Sequence, residues 1–185
     1  MTWGDDAIRR EELSLVGGSW SGLLFENQRV GFPLSLTWTF NFEFAEIARE
    51  FGSSSASLTV DWVPLKAPSW MAMTGQRCSS PEFANPIEAS FYFFDHHRFD
   101  TGSVEVIAQE EGRIYARVAV SGDLDGLGLD PLTVEGWLEF DSIRVQPETK
   151  PVSVEAAGEL LAQFSSTAGL VAEDCGHNYR FRRAK

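Results

Sequence analysis

Residues 34–44 read LSLTWTFNFEF, with a large apolar side chain at every even position and a polar one at every odd position. In a β-strand, successive side chains point to opposite faces, so this segment has one apolar face and one polar face. A helix would scatter the same apolar side chains around its circumference. The pattern therefore predicts the central strand of an antiparallel β domain.

Alternation of the same kind recurs along the chain, and most connections between the alternating segments are short. The further strands that it predicts cover residues 13–16, 19–26, 56–62, 87–94, 103–108, 113–121, 132–145 and 178–182. An apolar stripe from Val154 to Phe164, with Ser153 as its N-cap, predicts one helix near the C-terminus. We expect an α+β fold: a predominantly antiparallel curved sheet or partly open barrel of about seven to nine strands, with this helix packed on it.

Breaks in the alternation carry predictions of their own. Gly17-Gly18 indicates a turn, and the longer apolar spacing from Ala45 to Phe51 indicates helical turns closed by Gly52. The three serines at positions 53–55 then indicate a flexible link. The apolar phase slips near Asp141-Ser142, which predicts a β-bulge.

The overall composition describes an acidic globular protein. The chain has 185 residues, of which 43% are hydrophobic, and a formal net charge of −12. This length and composition predict a single domain over residues 1–185. Because Arg180, Arg182, Arg183 and Lys185 cluster at the C-terminus, the rest of the chain is more acidic still. Such a body repels nucleic acid and anionic membranes and attracts basic proteins.

The cysteines and the N-terminus predict a cytoplasmic protein. Cys78 and Cys175 are too few for a disulfide framework. Residues 1–6 lack the basic and apolar regions of a signal peptide, and no apolar run is long enough to span a membrane.

The loop from Asp123 to Asp130 resembles a calcium-binding loop at first sight. On the calcium-loop template, however, Leu127 and Val134 fall at positions where oxygen ligands belong. Turn geometry is therefore the expected role of its Asp and Gly residues.

Zinc and catalysis are also not predicted. The residues of zinc-ligating type lack close-spaced cysteine pairs; they are Cys78, His96, His97, Cys175 and His177. The sequence contains no Ser-centred nucleophile elbow, phosphate-binding glycine loop or His-Glu-x-x-His helix. We therefore expect no metal and no cofactor, and the sequence favours a non-enzymatic role.

Residues 64–86 form the longest predicted loop, with four prolines and no sustained hydrophobic period. Trp70, Met71 and Met73 make it the best candidate for contact with a partner, since Met is adaptable and Trp often anchors interfaces. The alternative is that the loop folds back and plugs one end of the sheet.

These features favour a non-enzymatic, acidic protein-binding module whose partner is a basic protein. In size, acidity and β-rich pattern the chain resembles the immunity proteins that neutralise bacterial toxins. The resemblance is one of overall character and involves no shared motif. It implies the function of an inhibitor of a basic protein.

Two further hypotheses remain open. One is a small-molecule-binding or enzymatic pocket inside the curved sheet, with His96, Arg98 and Asp100 at its rim. The side chains that would line it are the aromatic residues Trp38, Phe40, Phe42, Trp62, Phe91 and Phe93. The other is self-association: the chain is either a monomer or a small homo-oligomer that pairs through residues 178–182 as an exposed edge strand.

Overall fold

The computed structural model describes residues 7–80 and 87–184. Residues 81–86 of the predicted loop and Lys185 of the basic tail lie outside the described residues, as do residues 1–6. The described residues form these strands and this helix: β1 Leu15–Asn27, β2 Phe32–Arg49, β3 Gly52–Val63, β4 Arg77–Ser80, β5 Glu88–Phe93, β6 Asp95–Glu110, β7 Arg113–Asp123, β8 Leu132–Gln146, α1 Val154–Ala162, β9 Leu170–Asp174 and β10 Tyr179–Arg183.

Seven of the strands close into a barrel. Their order is β1-β2-β3-β5-β6-β7-β8, and β8 pairs back onto β1. Neighbouring strands are antiparallel except β1 and β8, which are parallel. The predicted α+β class, with a predominantly antiparallel sheet and a C-terminal helix, is confirmed. The barrel is closed, whereas the sequence led us to expect a curved sheet or a partly open barrel.

The alternating segment at 34–44 forms the middle of β2, as predicted. Trp38, Phe40 and Phe42 are fully buried in the barrel interior, and Phe44 is nearly so. On either side, β2 pairs with β1 and β3, so its backbone groups are satisfied while its apolar face fills the core.

Strand β8 is bulged and pairs with different strands along its length. Its first half pairs with β7, and its second half lies between β1 and β10. Trp20 of β1 is opposite Phe140 and Gly22 is opposite Ile143, so β8 carries an extra residue at this point. The β-bulge predicted at Asp141-Ser142 is thereby confirmed.

Two local predictions in the first half of the chain are wrong. Residues 45–51 are not helical, because β2 continues to Arg49. The change in apolar spacing marks a register shift between Phe44 and Ile47 against β3, which is a β-bulge. The serines at 53–55 are not a flexible link, because all three belong to β3, and Ser53 and Ser54 pair with β2.

Gly17-Gly18 is not a turn, because β1 runs through both residues. A Cβ atom on Gly18 would lie 2.4 Å from both the backbone oxygen of Asn41 and Cδ2 of Leu138. The glycine is therefore required by the close approach of β1 to its neighbours, and a sequence pattern does not distinguish this from a turn.

Short segments cover both ends of the barrel. At the end formed by the β2–β3 and β5–β6 turns, here called the upper end, Ile8 and the β7–β8 loop residues Leu127 and Leu129 are buried. At the opposite, lower end, buried residues of the segment after β3, Trp70 and Met73 among them, close the interior. The segment predicted as a loop also contains β4, which pairs with β6.

Helix α1 packs on the C-terminal hairpin. As predicted, Ser153 caps it: Ser153 Oγ accepts a hydrogen bond from the backbone N–H of Ala156 at 3.2 Å. Strand β10 lies between β8 and β9, so the prediction that residues 178–182 form an exposed edge strand is wrong. Within residues 7–80 and 87–184, no helix is long and apolar enough to cross a membrane.

Gly18→Ala tests whether the barrel depends on the close approach of β1 to its neighbours at Gly18. We expect it to lower the free energy of unfolding by about 1–3 kcal/mol, since backbone atoms of β2 have to move. Gly17→Ala is the matched control, because the nearest atom to its Cβ is a Glu43 carboxylate oxygen at 3.8 Å. Its effect should stay within about 0.5 kcal/mol. Urea denaturation measures both, and equal effects would contradict the packing argument.

Candidate functional site

A cavity of about 320 Å³ opens at the upper end of the barrel. Its nine lining residues come from the N-terminal segment, two turns, the end of β5, the start of β6 and the β7–β8 loop; they are Ala7, Phe51, Phe93, Phe94, Asp95, His97, Asp125, Gly126 and Leu127. We call it the aromatic cavity. Ligand sites in proteins are typically concave and mostly apolar, with a few polar groups, and this cavity has that character.

Phe51 and Phe94 form an exposed aromatic pair at the mouth of the aromatic cavity. Their ring centroids are 4.9 Å apart, and the side chains are 65% and 41% exposed, respectively. Phe51 belongs to the β2–β3 turn and Phe94 to the β5–β6 turn. Two neighbouring phenyl rings left in water lose the burial free energy that most phenylalanines gain.

The backbone of Phe94 is strained. Its φ angle is +55°, in the left-handed region that non-glycine residues seldom adopt. The conformation is held by pairing on both sides of the turn and by a hydrogen bond from the Phe94 N–H to Ser54 Oγ at 3.1 Å. Strain of this kind is concentrated at functional sites, where the surrounding structure has to impose it.

Phe93 packs against Phe94 of this pair, and its ring also contacts the guanidinium of Arg49. The ring centroids of Phe93 and Phe94 are 4.7 Å apart, and the Arg49 guanidinium lies 5.2 Å from the Phe93 ring. Arg49 donates two hydrogen bonds to the Glu12 carboxylate, at 2.9 and 3.2 Å, and one to the carbonyl of Ala7. The N-terminal segment is thereby fixed against the wall of the cavity.

This bidentate ion pair shifts the titration of Glu12. The hydrogen bonds from Arg49, together with that from the backbone N–H of Arg9, lower the pKa of Glu12 from its ordinary value of 4.5 to about 2. Glu12 therefore carries its charge at every pH near neutrality.

His97 is the cavity residue with unused hydrogen-bonding capacity. Its Nε2 lies 3.3 Å from the backbone oxygen of Phe93, and this contact is a hydrogen bond when Nε2 carries the proton. Its Nδ1 is buried and has no hydrogen-bond partner within the described part of the chain. Buried polar atoms without partners are uncommon in native proteins.

The acidic loop after β7 organises its own backbone. The Asp123 carboxylate accepts hydrogen bonds from the N–H groups of Asp125, Gly126 and Gly128, at 3.3, 2.9 and 2.8 Å. Asp130 accepts one from the N–H of Gly122. These contacts are the turn chemistry expected from the sequence. No group of three or more His, Cys, Asp or Glu side chains among the described residues is placed to hold a metal ion.

Asp125 joins this loop to β6. It accepts a hydrogen bond from the Arg98 N–H at 2.7 Å and pairs with the Arg98 guanidinium at 3.3 Å. The hydrogen bonds from the Arg98 side chain and backbone hold the pKa of Asp125 below its usual range. The carboxylate at this side of the cavity is therefore ionised near neutral pH.

The predicted rim residues lie near the cavity but do not line it. Strand alternation puts His96, Arg98 and Asp100 on the exposed face of β6, and Arg98 reaches the site through Asp125. His97, which was not among the predicted rim residues, lines the cavity instead. Its place was visible in the alternation, since it shares a face with the buried Phe99.

The segment around Trp70 lies at the lower end. The Trp70 ring stacks on Phe140 at 4.5 Å, and its Nε1 donates to the carbonyl of Ala168. The Gln109 side chain donates to the carbonyl of Trp70 and accepts from the N–H of Met73, which fixes the segment. Trp70 and Met73 are buried and Met71 is 49% exposed, and partner binding by this segment stays a prediction.

Five of the six aromatic residues proposed to line an internal pocket belong to the packed core. Trp38, Phe40, Phe42 and Phe91 are fully buried, and Phe93 is nearly so. Trp62 turns away from the interior at a register shift of β3 and contacts Phe25 and Phe32 instead.

Comparisons of the chain with protein-family models, with curated proteins and with solved structures found no match.

Glu12→Gln tests the ion pair that fixes the N-terminal segment. Because the folded-state pKa is lowered, the stabilisation is present above pH 4.5 and is lost as the pH falls towards 2. At neutral pH the variant should be less stable than wild type by about 1–2 kcal/mol, allowing for solvent screening. Urea denaturation at several pH values should show this difference vanish near pH 2, whereas exposed Glu11→Gln should show little difference throughout.

Phe94→Gly tests whether this ring contributes to folding. Relief of backbone strain, about 1–2 kcal/mol, should offset the lost ring contacts, so the free energy of unfolding should stay within about 1 kcal/mol of wild type. The buried Phe91→Ala should instead cost about 3–5 kcal/mol. Denaturant unfolding measures both. A comparable loss in Phe94→Gly would identify the ring as part of the core.

Proposed function

We propose that the protein is a non-enzymatic, acidic binding module that contacts a basic protein through the upper end of its barrel. The observation that carries this proposal is the exposed aromatic pair of Phe51 and Phe94 at the mouth of the aromatic cavity, which also contains two aspartates. The proposed contact lies at the upper end of the barrel, whereas the sequence predicted contact through the Trp70 segment, which lies at the lower end.

The apolar part of this surface suits a protein interface. Phe51 and Phe94 stand clear of the core, and Leu124 in the β7–β8 loop is 51% exposed. A hydrogen bond from the Leu124 N–H to the carbonyl of Arg98 holds that loop against β6. Clustered exposed aromatic side chains next to a pocket are the usual anchors of interfaces.

The charge of the surface supports a basic partner. Asp95 and Asp125 line the cavity, and Glu50 is exposed next to Phe51. The basic side chains beside them, Arg49 and Arg98, are each paired with a carboxylate. With a net charge of −12 on the chain, association with a basic protein would be fast and sensitive to salt.

An inhibitor of a basic protein is one form of this function, in keeping with the resemblance to toxin-neutralising immunity proteins. The free cysteines Cys78 and Cys175 suit action in the cytoplasm, where thiols stay reduced. A monomer satisfies the proposal, because the surface is complete within one chain.

The second candidate function is a small-molecule site in the aromatic cavity. The unpartnered Nδ1 of His97 favours it, since a ligand that donates a hydrogen bond would supply what the described residues do not. The volume of about 320 Å³ is at the lower limit for ligand pockets. Thermal stabilisation of the protein by a metabolite, abolished by substitution of His97, would favour this function.

The experiment that tests the proposed function is affinity capture from the source cell at low and high salt, followed by titration of the captured protein. We expect Phe51→Ser to raise the dissociation constant at least about tenfold, since an aromatic anchor contributes roughly 1–2 kcal/mol or more. Stability should change little, because the side chain is 65% exposed.

Val30→Ser is the matched control, since Val30 is 75% exposed and lies in the β1–β2 connection at the lower end. A loss of binding in Val30→Ser but not in Phe51→Ser would move the contact to the lower end and contradict the proposal. Binding that strengthens with added salt would contradict the role assigned to charge.

A further inference from the structure

We infer that the aromatic cavity binds the cationic side chain of a lysine or arginine, where the rings of Phe51, Phe93 and Phe94 meet the carboxylates of Asp95 and Asp125. The inference deepens the proposed function and rests on it, because the basic partner supplies this side chain. It names the chemical group that the cavity would bind, which the exposure of the two rings and the net charge of the chain do not specify.

The rings form adjoining walls of the kind that bind cations. Phe94 is tilted by 48° to Phe51 and by 62° to Phe93, with centroid distances of 4.9 and 4.7 Å. The faces of aromatic rings carry negative potential, and aromatic cages are used to recognise ammonium and guanidinium groups. A flat stack of rings would offer less of this surface than a set of tilted rings.

The protein already contains such a contact in the same wall. The guanidinium of its own Arg49 lies 5.2 Å from the Phe93 ring centroid, within the range of cation–π attraction. Arg49 belongs to the adjoining strand end and is held there by Glu12, so the contact is part of the frame of the cavity. A cation bound in the cavity would make the same kind of contact with a ring that Arg49 makes with Phe93.

The charges at the cavity also favour a cation. Among the nine lining residues two are acidic and none is lysine or arginine. Asp95 accepts a hydrogen bond from the His96 N–H at 2.8 Å and has no ion-pair partner within residues 7–80 and 87–184. Asp125 is paired with the Arg98 guanidinium at 3.3 Å, so Asp95 supplies the carboxylate that is free to pair with a bound cation.

The size and the hydrogen-bonding groups of the cavity suit one long side chain. A volume of about 320 Å³ is small for a drug-sized ligand but admits an aliphatic stem that ends in a charged group. The stem would contact the rings while the charged group approaches the carboxylates. His97 adds an acceptor whenever its Nδ1 is unprotonated, because that atom has no partner among the described residues.

The test is an NMR titration of the full chain with three small probes: Nα-acetyl-lysine amide, Nα-acetyl-arginine amide and the neutral Nα-acetyl-norleucine amide. We expect the two cationic probes to bind with dissociation constants in the millimolar range and to shift the aromatic signals of Phe51, Phe94 and His97. The norleucine probe should bind at least about threefold more weakly, since it lacks the charge that the rings and carboxylates attract.

Matched variants separate a specific site from general attraction to an acidic protein. Asp95→Asn should weaken the lysine probe at least about threefold, and Phe94→Leu should do the same by removing a ring while keeping apolar volume. Glu159→Gln removes one charge from the exposed face of α1 and should leave binding unchanged. Unfolding curves confirm that each variant is folded before it is titrated.

Three results would overturn the inference: equal binding of the norleucine probe, equal effects of Asp95→Asn and Glu159→Gln, or an absence of shifts at the cavity with millimolar probe. Equal binding of norleucine would identify an apolar ligand pocket instead. The result is independent of the capture experiment. A lysine probe that binds while Phe51→Ser leaves the partner's affinity intact would refute the proposed function alone.

Discussion

The parallel pairing of β1 with β8 is the contact on which the rest of the structure depends. It joins the first strand of the sheet to the seventh and removes both edges of the barrel. The bulge at Asp141-Ser142 lies within this pairing, and Gly18 lets β1 approach the backbone of β2 and the Leu138 side chain of β8. Arg180 of β10 then binds both bulge side chains, so the C-terminal hairpin is fixed by the same feature.

Much of this fold was predictable because the side-chain period of a strand is visible in any sequence. The alternation at 34–44 predicted β2, and the slip of phase at Asp141-Ser142 predicted the bulge in β8. The same reasoning was wrong at residues 45–51 and at Gly17-Gly18, for a physical reason. A bulge and a helical turn both lengthen the apolar spacing, and a glycine required by a neighbouring strand has the same sequence signature as one required by a turn.

The candidate site was less predictable, because it is assembled from segments far apart in the chain. Phe51, Phe94 and Leu127 come from two turns and a loop that lie side by side only once the strands between them have paired. None of these residues belongs to a motif with its own spacing. The apolar residues Trp70 and Met73 illustrate the converse problem, since a sequence does not show whether such side chains face a partner or the protein's own core.

Closure of the barrel leaves two ends that differ in how their aromatic side chains are placed. Large aromatic side chains such as Trp38 and Phe91 fill the interior, so no ligand cavity remains among these residues. At the lower end, Gln109 binds the segment around Trp70 through two hydrogen bonds and turns its aromatic ring inward. At the upper end, a strained turn holds Phe94 outward beside Phe51. The fold thus buries Trp70 but leaves Phe51 and Phe94 largely in water, so burial free energy does not account for the position of the exposed pair.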